Sequence, residues 1–130
     1  MANLLDFPTV IVDGVASPPL VPDTQPIDRN HLFRMTLGDH KLECEVLQLF
    51  ERQAGMLLSR MGEADPAGVA ALAHTLQGSA RGIGAWNVAR AAEAVELAAG
   101  AKSVELQPAM NALSGAINDA RQAIGGLLQA

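Results

Sequence analysis

The apolar positions of the chain fall into four long helical patterns separated by short polar breaks. Over residues 40–61, Leu42, Val46, Leu49, Phe50, Met56 and Leu57 share one helical face, and Leu47 and Leu58 widen the arc beyond what one seam requires. Advancing about 100° per residue along 66–83 gathers Val69, Leu72, Ala73, Leu76, Ala80 and Ile83 on one side. Residues 85–99 carry a narrower stripe of Val88, Ala92, Val95 and Ala99. In the last segment Leu106, Met110, Leu113, Ile117, Ala120, Ile124 and Leu127 alternate four- and three-residue steps, the seam of a bundle helix.

Stop and start signals divide these patterns. Asp28 is placed to cap a short helix reaching Leu37, with Gly38 as its left-handed stop, and Asp39 to cap the next. Asp65-Pro66 sets a carboxylate at an N-cap and proline in the first turn, where its missing N–H is harmless. Gly82 and Gly84 are expected to end the third helix and Gly100 the fourth, while Pro108 falls in the first turn of the last. The intervening loops are short, which makes consecutive helices antiparallel neighbours. The expected fold is therefore all-α: an antiparallel up-down-up-down four-helix bundle with a short additional N-terminal helix over one end. Residues 1–26 read as an arm or linker ahead of this bundle domain, which spans 27–130. Within the arm, Val10-Ile11-Val12 reads as extended, and Pro18, Pro19, Pro22 and Pro26 exclude a helix.

Composition agrees with helices. The chain is 49% hydrophobic but 3% aromatic, which favours close-packed Ala- and Leu-rich helices over a β-sandwich. A net charge of -5 lacks the basic stripe that neutralising phosphates along a nucleic acid requires, so the expected targets are proteins. Cys44 is the single cysteine, leaving no internal disulfide. No leader-like segment or bilayer-length apolar run is present, and the expected location is the cytoplasm, with no membrane partner.

The candidate chemistry lies on the polar side of the third helix. His74 faces away from the apolar stripe and shares its face with Ala67, Ala70, Ala71, Gln77, Gly78 and Arg81, of which only Gln77 and Arg81 have reach. Glycine inside a helix costs about 1 kcal/mol relative to alanine. Gly78, one turn beyond His74, leaves open the space that a side chain would fill beside the imidazole. Its alternative use, close packing by a neighbouring helix, sits poorly with the polar face.

The run His74-Thr75-Leu76-Gln77-Gly78-Ser79-Ala80-Arg81-Gly82-Ile83-Gly84-Ala85 resembles the signature of histidine-containing phosphotransfer (HPt) domains. The likeness extends to Pro26-Ile27-Asp28, Gly38-Asp39, Phe50 and the stretch from Ala91 to Glu96. It implies that His74 is a phosphoacceptor and that Gln77, Gly78, Arg81, Ala70 and Ala71 face the phosphate or the partner. It also implies docking of receiver domains on exposed apolar residues near the histidine. The family pattern usually has Lys where this chain has Gln77. The expected function is a phosphorelay intermediate that takes a phosphoryl group from one receiver aspartate and passes it to another. No cofactor is expected on this chain, Mg²⁺ being the receiver's to supply.

Arg81 reads equally as a solubilising charge and as a phosphate ligand, and Gln77 is likewise open. Ser79 lies to the side of the His74 face and reads as a hydrogen bonder, not a nucleophile. His31 and His40 form no metal-ligand spacing with each other or with His74, so no metal site is expected. Cys44 has Lys41 alone at helical spacing to activate it and is given no role. Without a glycine-rich ATP-binding box, a Walker A run or a kinase phosphoacceptor box, the chain is not expected to be an enzyme that draws phosphate from ATP. Two other readings stand beside the relay: a non-phosphorylated receiver-binding scaffold or antagonist, supported by Gln77, and a dimerising helical bundle, supported by the last seam. A monomer is the expected state.

Overall fold

Carboxylates start the first three helices of the computed structural model, which describes residues 25–129. Asp28 accepts from the His31 amide at 3.0 Å and opens α1 (Arg29–Met35). Asp39 caps α2 (His40–Met61) through the Leu42 amide, and Asp65 caps α3 (Pro66–Ile83) through the Gly68 amide. Each such cap is worth about 1 kcal/mol. Helices α4 (Trp86–Gly100) and α5 (Leu106–Leu128) begin without a side-chain cap, and Pro108 lies in the first turn of α5 as expected.

The stops differ from the sequence expectation in two places. Helix α1 ends at Met35, not Leu37, because the left-handed turn takes both Leu37 (φ 55°) and Gly38 (φ 72°), closed by the Gly38 amide on the Phe33 carbonyl. Gly82 lies inside α3, and Gly84 alone is the stop. Its φ of 82° and the 3.0 Å separating a notional Cβ from Asp28 both favour glycine there. Helix α4 ends at Gly100 as expected, and the reversal after it is made by Lys102 at φ 51°.

Helix α2 packs on α3, α3 on α4 and α4 on α5, and α5 returns to α2; α1 lies against α3. The short connections at 62–65, 84–85 and 101–105 make the consecutive helices antiparallel neighbours, closing a four-helix bundle. All elements among the described residues are helical. No helix among them is long and apolar enough to cross a membrane. The extended segment expected at Val10-Ile11-Val12, with nearly all of the arm, lies outside the described residues.

The core stripe of α3 is Val69, Ala73, Leu76, Ala80 and Ile83, with Leu72 half-buried at its edge. The α5 seam is buried at Leu113, Ile117, Ala120 and Ile124, and its ends at Leu106, Met110 and Leu127 are half-buried. Helix α4 buries Trp86, Ala89 and Ala98 in addition to its expected stripe, since it is flanked by two partners. Helix α2 departs most. It buries Leu47, Phe50, Ala54, Leu57 and Met61, whereas Leu42, Leu49 and Met56 remain 38%, 58% and 47% exposed. The buried set keeps a strict three-four-three-four step that runs through Ala54, a residue too small to register in a count of large apolar side chains.

The short α1 is tied to the bundle by one polar cluster. Trp86 Nε1 donates to Asp28 Oδ2 at 2.9 Å, the Asp28 amide donates to the Gly84 carbonyl at 2.9 Å, and the buried His31 ring packs edge-on to Trp86. Burial alone would raise the Asp28 carboxyl. The Trp86 indole, the His31 amide and the nearby His31 and Arg34 charges outweigh it and hold the group below its usual value. A pKa depressed by folding stabilises fully above the unfolded value of about 3.9, and that contribution is lost as pH falls through the folded value. Trp86→Phe is therefore expected to cost about 1.5 kcal/mol at neutral pH, the low end for a charged acceptor because Asp28 keeps contact with water. Urea midpoints should show the deficit narrowing below about pH 3.9. An equal deficit in acid would mean that only indole packing was lost.

Candidate functional site

Burial of Ala73, Leu76 and Ala80 against the neighbouring helices turns the opposite face of α3 outward, and the His74 side chain is 72% exposed on it. Its Nδ1 lies 3.1 Å from Oε2 of Glu96, on α4, whose carboxylate is one-third exposed. A carboxylate can only accept, so in the neutral ring this contact favours the tautomer with its proton on Nδ1 and the lone pair on Nε2.

Gln77 stands one turn along. In the amide orientation that satisfies both neighbours, its nitrogen donates to Glu96 Oε1 at 3.3 Å and its oxygen accepts from Arg81 at 3.3 Å. Arg81, Gln77, Glu96 and His74 thus form one polar chain across the α3–α4 surface. A Cβ built on Gly78 would meet nothing within 4 Å, so no helix packs there and the missing side chain simply leaves space. His74, Gln77, Gly78 and Arg81 together line an open depression of about 290 Å³.

The structure thus gathers four of the six residues expected on this surface. Ala71 is exposed on the same helix but does not line the depression, and Ala70 is half-buried against the core. Ser79 turns the other way, toward α2, and its hydroxyl makes no hydrogen bond among the described residues, contrary to its reading as a hydrogen bonder. Thr75 does bond back along the helix, to the Ala71 carbonyl. His31 is buried and structural, and His40 is exposed beside Glu43. Cys44 does have a histidine at helical spacing, contrary to the sequence reading: His40 Nε2 lies 3.6 Å from its sulfur. No group of three or more His, Cys, Asp or Glu among the described residues is arranged to hold a metal ion.

Glu96 is the site residue that sequence reasoning missed. It stands 22 positions from His74 on a different helix, so no local periodicity pairs them. The two-residue connection at 84–85 does: in an antiparallel helix pair, positions equidistant from the turn come level, and 74 and 96 are nearly so.

Beyond Ser79 an apolar groove of about 320 Å³ runs between α1, α2 and α3. Leu32, Phe50 and Ile83 form its base, with the exposed Met35, Leu42 and Leu49 along its rim.

Searches of curated proteins and of solved structures found no significant match. A family model does match: that of the Hpt domain, over residues 45–126, which takes in most of α2, all of α3 and α4 and most of α5. With well over half of the chain matched, and with the helical bundle in agreement, the protein belongs to the histidine-containing phosphotransfer domain family, whose members carry out phosphotransfer in two-component signalling.

Proposed function

We propose that this chain is a relay intermediate whose phosphoacceptor atom is Nε2 of His74, loaded from a phosphorylated aspartate of one receiver domain and unloaded onto another. The observation that supports the reading is the His74–Glu96 hydrogen bond, which in the neutral ring keeps the proton on Nδ1 and leaves the Nε2 lone pair for phosphorus, beside the open space at Gly78.

In the forward step the Nε2 lone pair forms a bond to phosphorus while the phosphorus–oxygen bond to the aspartate breaks, returning a free carboxylate to the receiver. No proton has to leave Nε2. The positive charge that develops on the ring is met by Glu96 through Nδ1–H, and the transferred group's oxygens come within range of Arg81. Because phosphoryl transfer is largely positioning and charge stabilisation, an exposed histidine with these neighbours suffices. Mg²⁺ belongs to the receiver in this reading. The receiver docks on the exposed apolar strip formed by Leu42, Leu49 and Met56 of α2, which runs beside α3. The protein acts as a cytoplasmic monomer without kinase activity of its own; the unpaired Cys44 suits a reducing compartment.

The test is incubation with the phosphorylated receivers of the same organism. The expected product is a label on this chain that is lost in acid and kept in alkali, as a phosphoramidate is. Stable receiver binding without label would instead favour the scaffold reading.

The polar chain predicts a ranking. Glu96→Ala frees the ring to take the other tautomer and should slow transfer on the order of tenfold, equivalent to about 1.4 kcal/mol of barrier. Arg81→Ala removes the cation and should slow it about fivefold, since charge-assisted bonds to phosphate are roughly twice as strong as neutral ones. Gln77→Ala should cost less than either, because its amide is already engaged by Glu96 and Arg81. Gln77→Lys, which restores the family's usual residue, should raise the phosphorylated fraction at equilibrium. Stopped-flow transfer at low and high salt checks the set, and the Arg81 effect should shrink with salt because the site is exposed. Wild-type rates for Arg81→Ala would return that residue to the role of a solvated charge.

A further inference from the structure

The groove between α1, α2 and α3 leaves Met35 and Leu49 more than half exposed, at 56% and 58%. Clustered exposed apolar side chains of this kind mark a surface with an occupant. The chain itself enters the bundle at the edge of this groove. The Asp28 amide is bonded to the Gly84 carbonyl, Ile27 is buried, and Gly82 and Ile83, just before Gly84, line the groove. Gln25, the first described residue, precedes that bond by three positions.

What precedes Gln25 includes Phe7 and Val10-Ile11-Val12, an apolar cluster set between Asp6 and Asp13 and followed by Pro18, Pro19 and Pro22. The 13 residues from Val12 to Gln25 can span roughly 45 Å when extended, whereas the stretch of α2 from Leu42 to Gln53 is only about 17 Å long. The tether reaches with slack. A segment tethered this way is present at an effective concentration on the order of millimolar. Weak apolar contacts then suffice to keep it bound to its own bundle, and a free peptide of the same sequence would gain no such advantage.

We propose that Phe7 and Val10-Ile11-Val12 occupy this groove in the same molecule and that a docking receiver must displace them. The occupancy stands on the groove and the arm alone. Its consequence, a weakened affinity for receivers until the arm is displaced, rests on the docking reading given above.

The test uses the full chain with Cys44→Ser and a nitroxide on Ala16→Cys, and no receiver or phosphate, so its outcome is separate from that of the relay reading. The expected result is loss of amide signal confined to residues 42–53 and 79–83. It should be independent of protein concentration and restored when Ile11→Asp and Val12→Asp are added. A mixture of isotope-labelled chains without nitroxide and unlabelled chains bearing it should show no such loss. Loss in that mixture would mean that a second copy fills the groove and would overturn the proposal. So would undiminished signals in the singly labelled chain, or a loss that the two aspartates leave unchanged.

Discussion

His74→Gln is expected to abolish phosphorylation of this protein outright while leaving its fold intact. The imidazole is 72% exposed and contributes nothing to the core, so its replacement should change stability by no more than about 0.5 kcal/mol. Glutamine can still donate to Glu96, which keeps that carboxylate partnered, but an amide nitrogen has no lone pair able to accept a phosphoryl group. The other two histidines provide the controls. His31 is 3% exposed beneath Trp86 and cannot reach a receiver aspartate. His40 is 70% exposed and chemically competent, but it stands at the start of α2 with no Glu96 equivalent to orient it across a helix pair and no glycine opening beside it. His40→Gln should therefore label as the wild type does. Acid-labile label surviving His74→Gln but lost in His40→Gln would move the phosphoacceptor to α2 and sink the assignment.

The helices and their order were legible in the sequence because each rests on a local cause: a capping carboxylate, a proline in a first turn, a three-four apolar rhythm. The termini were less so. Glycine is permitted, not required, to be left-handed, and in this chain Leu37 and Lys102 take that conformation while Gly82 and Gly100 stay helical. The seam of α2 was misread for a related reason. Large side chains at Leu42, Leu49 and Met56 outweigh Ala54 in any count of hydrophobicity, yet only a small residue lets two partner helices close on the same stripe. The surplus that made α2 look too apolar for one seam is the exposed strip beside α3. The α5 seam, which by itself suited a dimerising helix, is buried against α2 and α4. Of the site, His74, Gln77, Gly78 and Arg81 were legible because they share one helix. Glu96 was not, because its contact exists only once α3 and α4 fold against each other.

Gly78 separates access from stability more sharply than any other position. A side chain there meets nothing, so the helix gains what glycine withholds: Gly78→Leu should raise stability by roughly 0.5–1 kcal/mol. For a domain of this size that is a rise of about 4 °C in Tm. The same isobutyl group projects one turn from His74 into the depression it shares with Gln77 and Arg81, across the line along which, in the proposed relay, a receiver aspartate reaches Nε2. In-line transfer tolerates little displacement, a misplacement of about 1 Å costing on the order of a hundredfold, and transfer should fall by at least that factor. Gly78→Ala grades the effect. Its single methyl should bring a gain in stability at least equal to that of leucine and leave transfer within about threefold of wild type, since helix propensity is highest at alanine while the added bulk is least. A melt and a transfer assay on the two variants thus read opposite signs from one substitution. A more stable Gly78→Leu protein that still transfers at the wild-type rate would show that the receiver approaches His74 from another side.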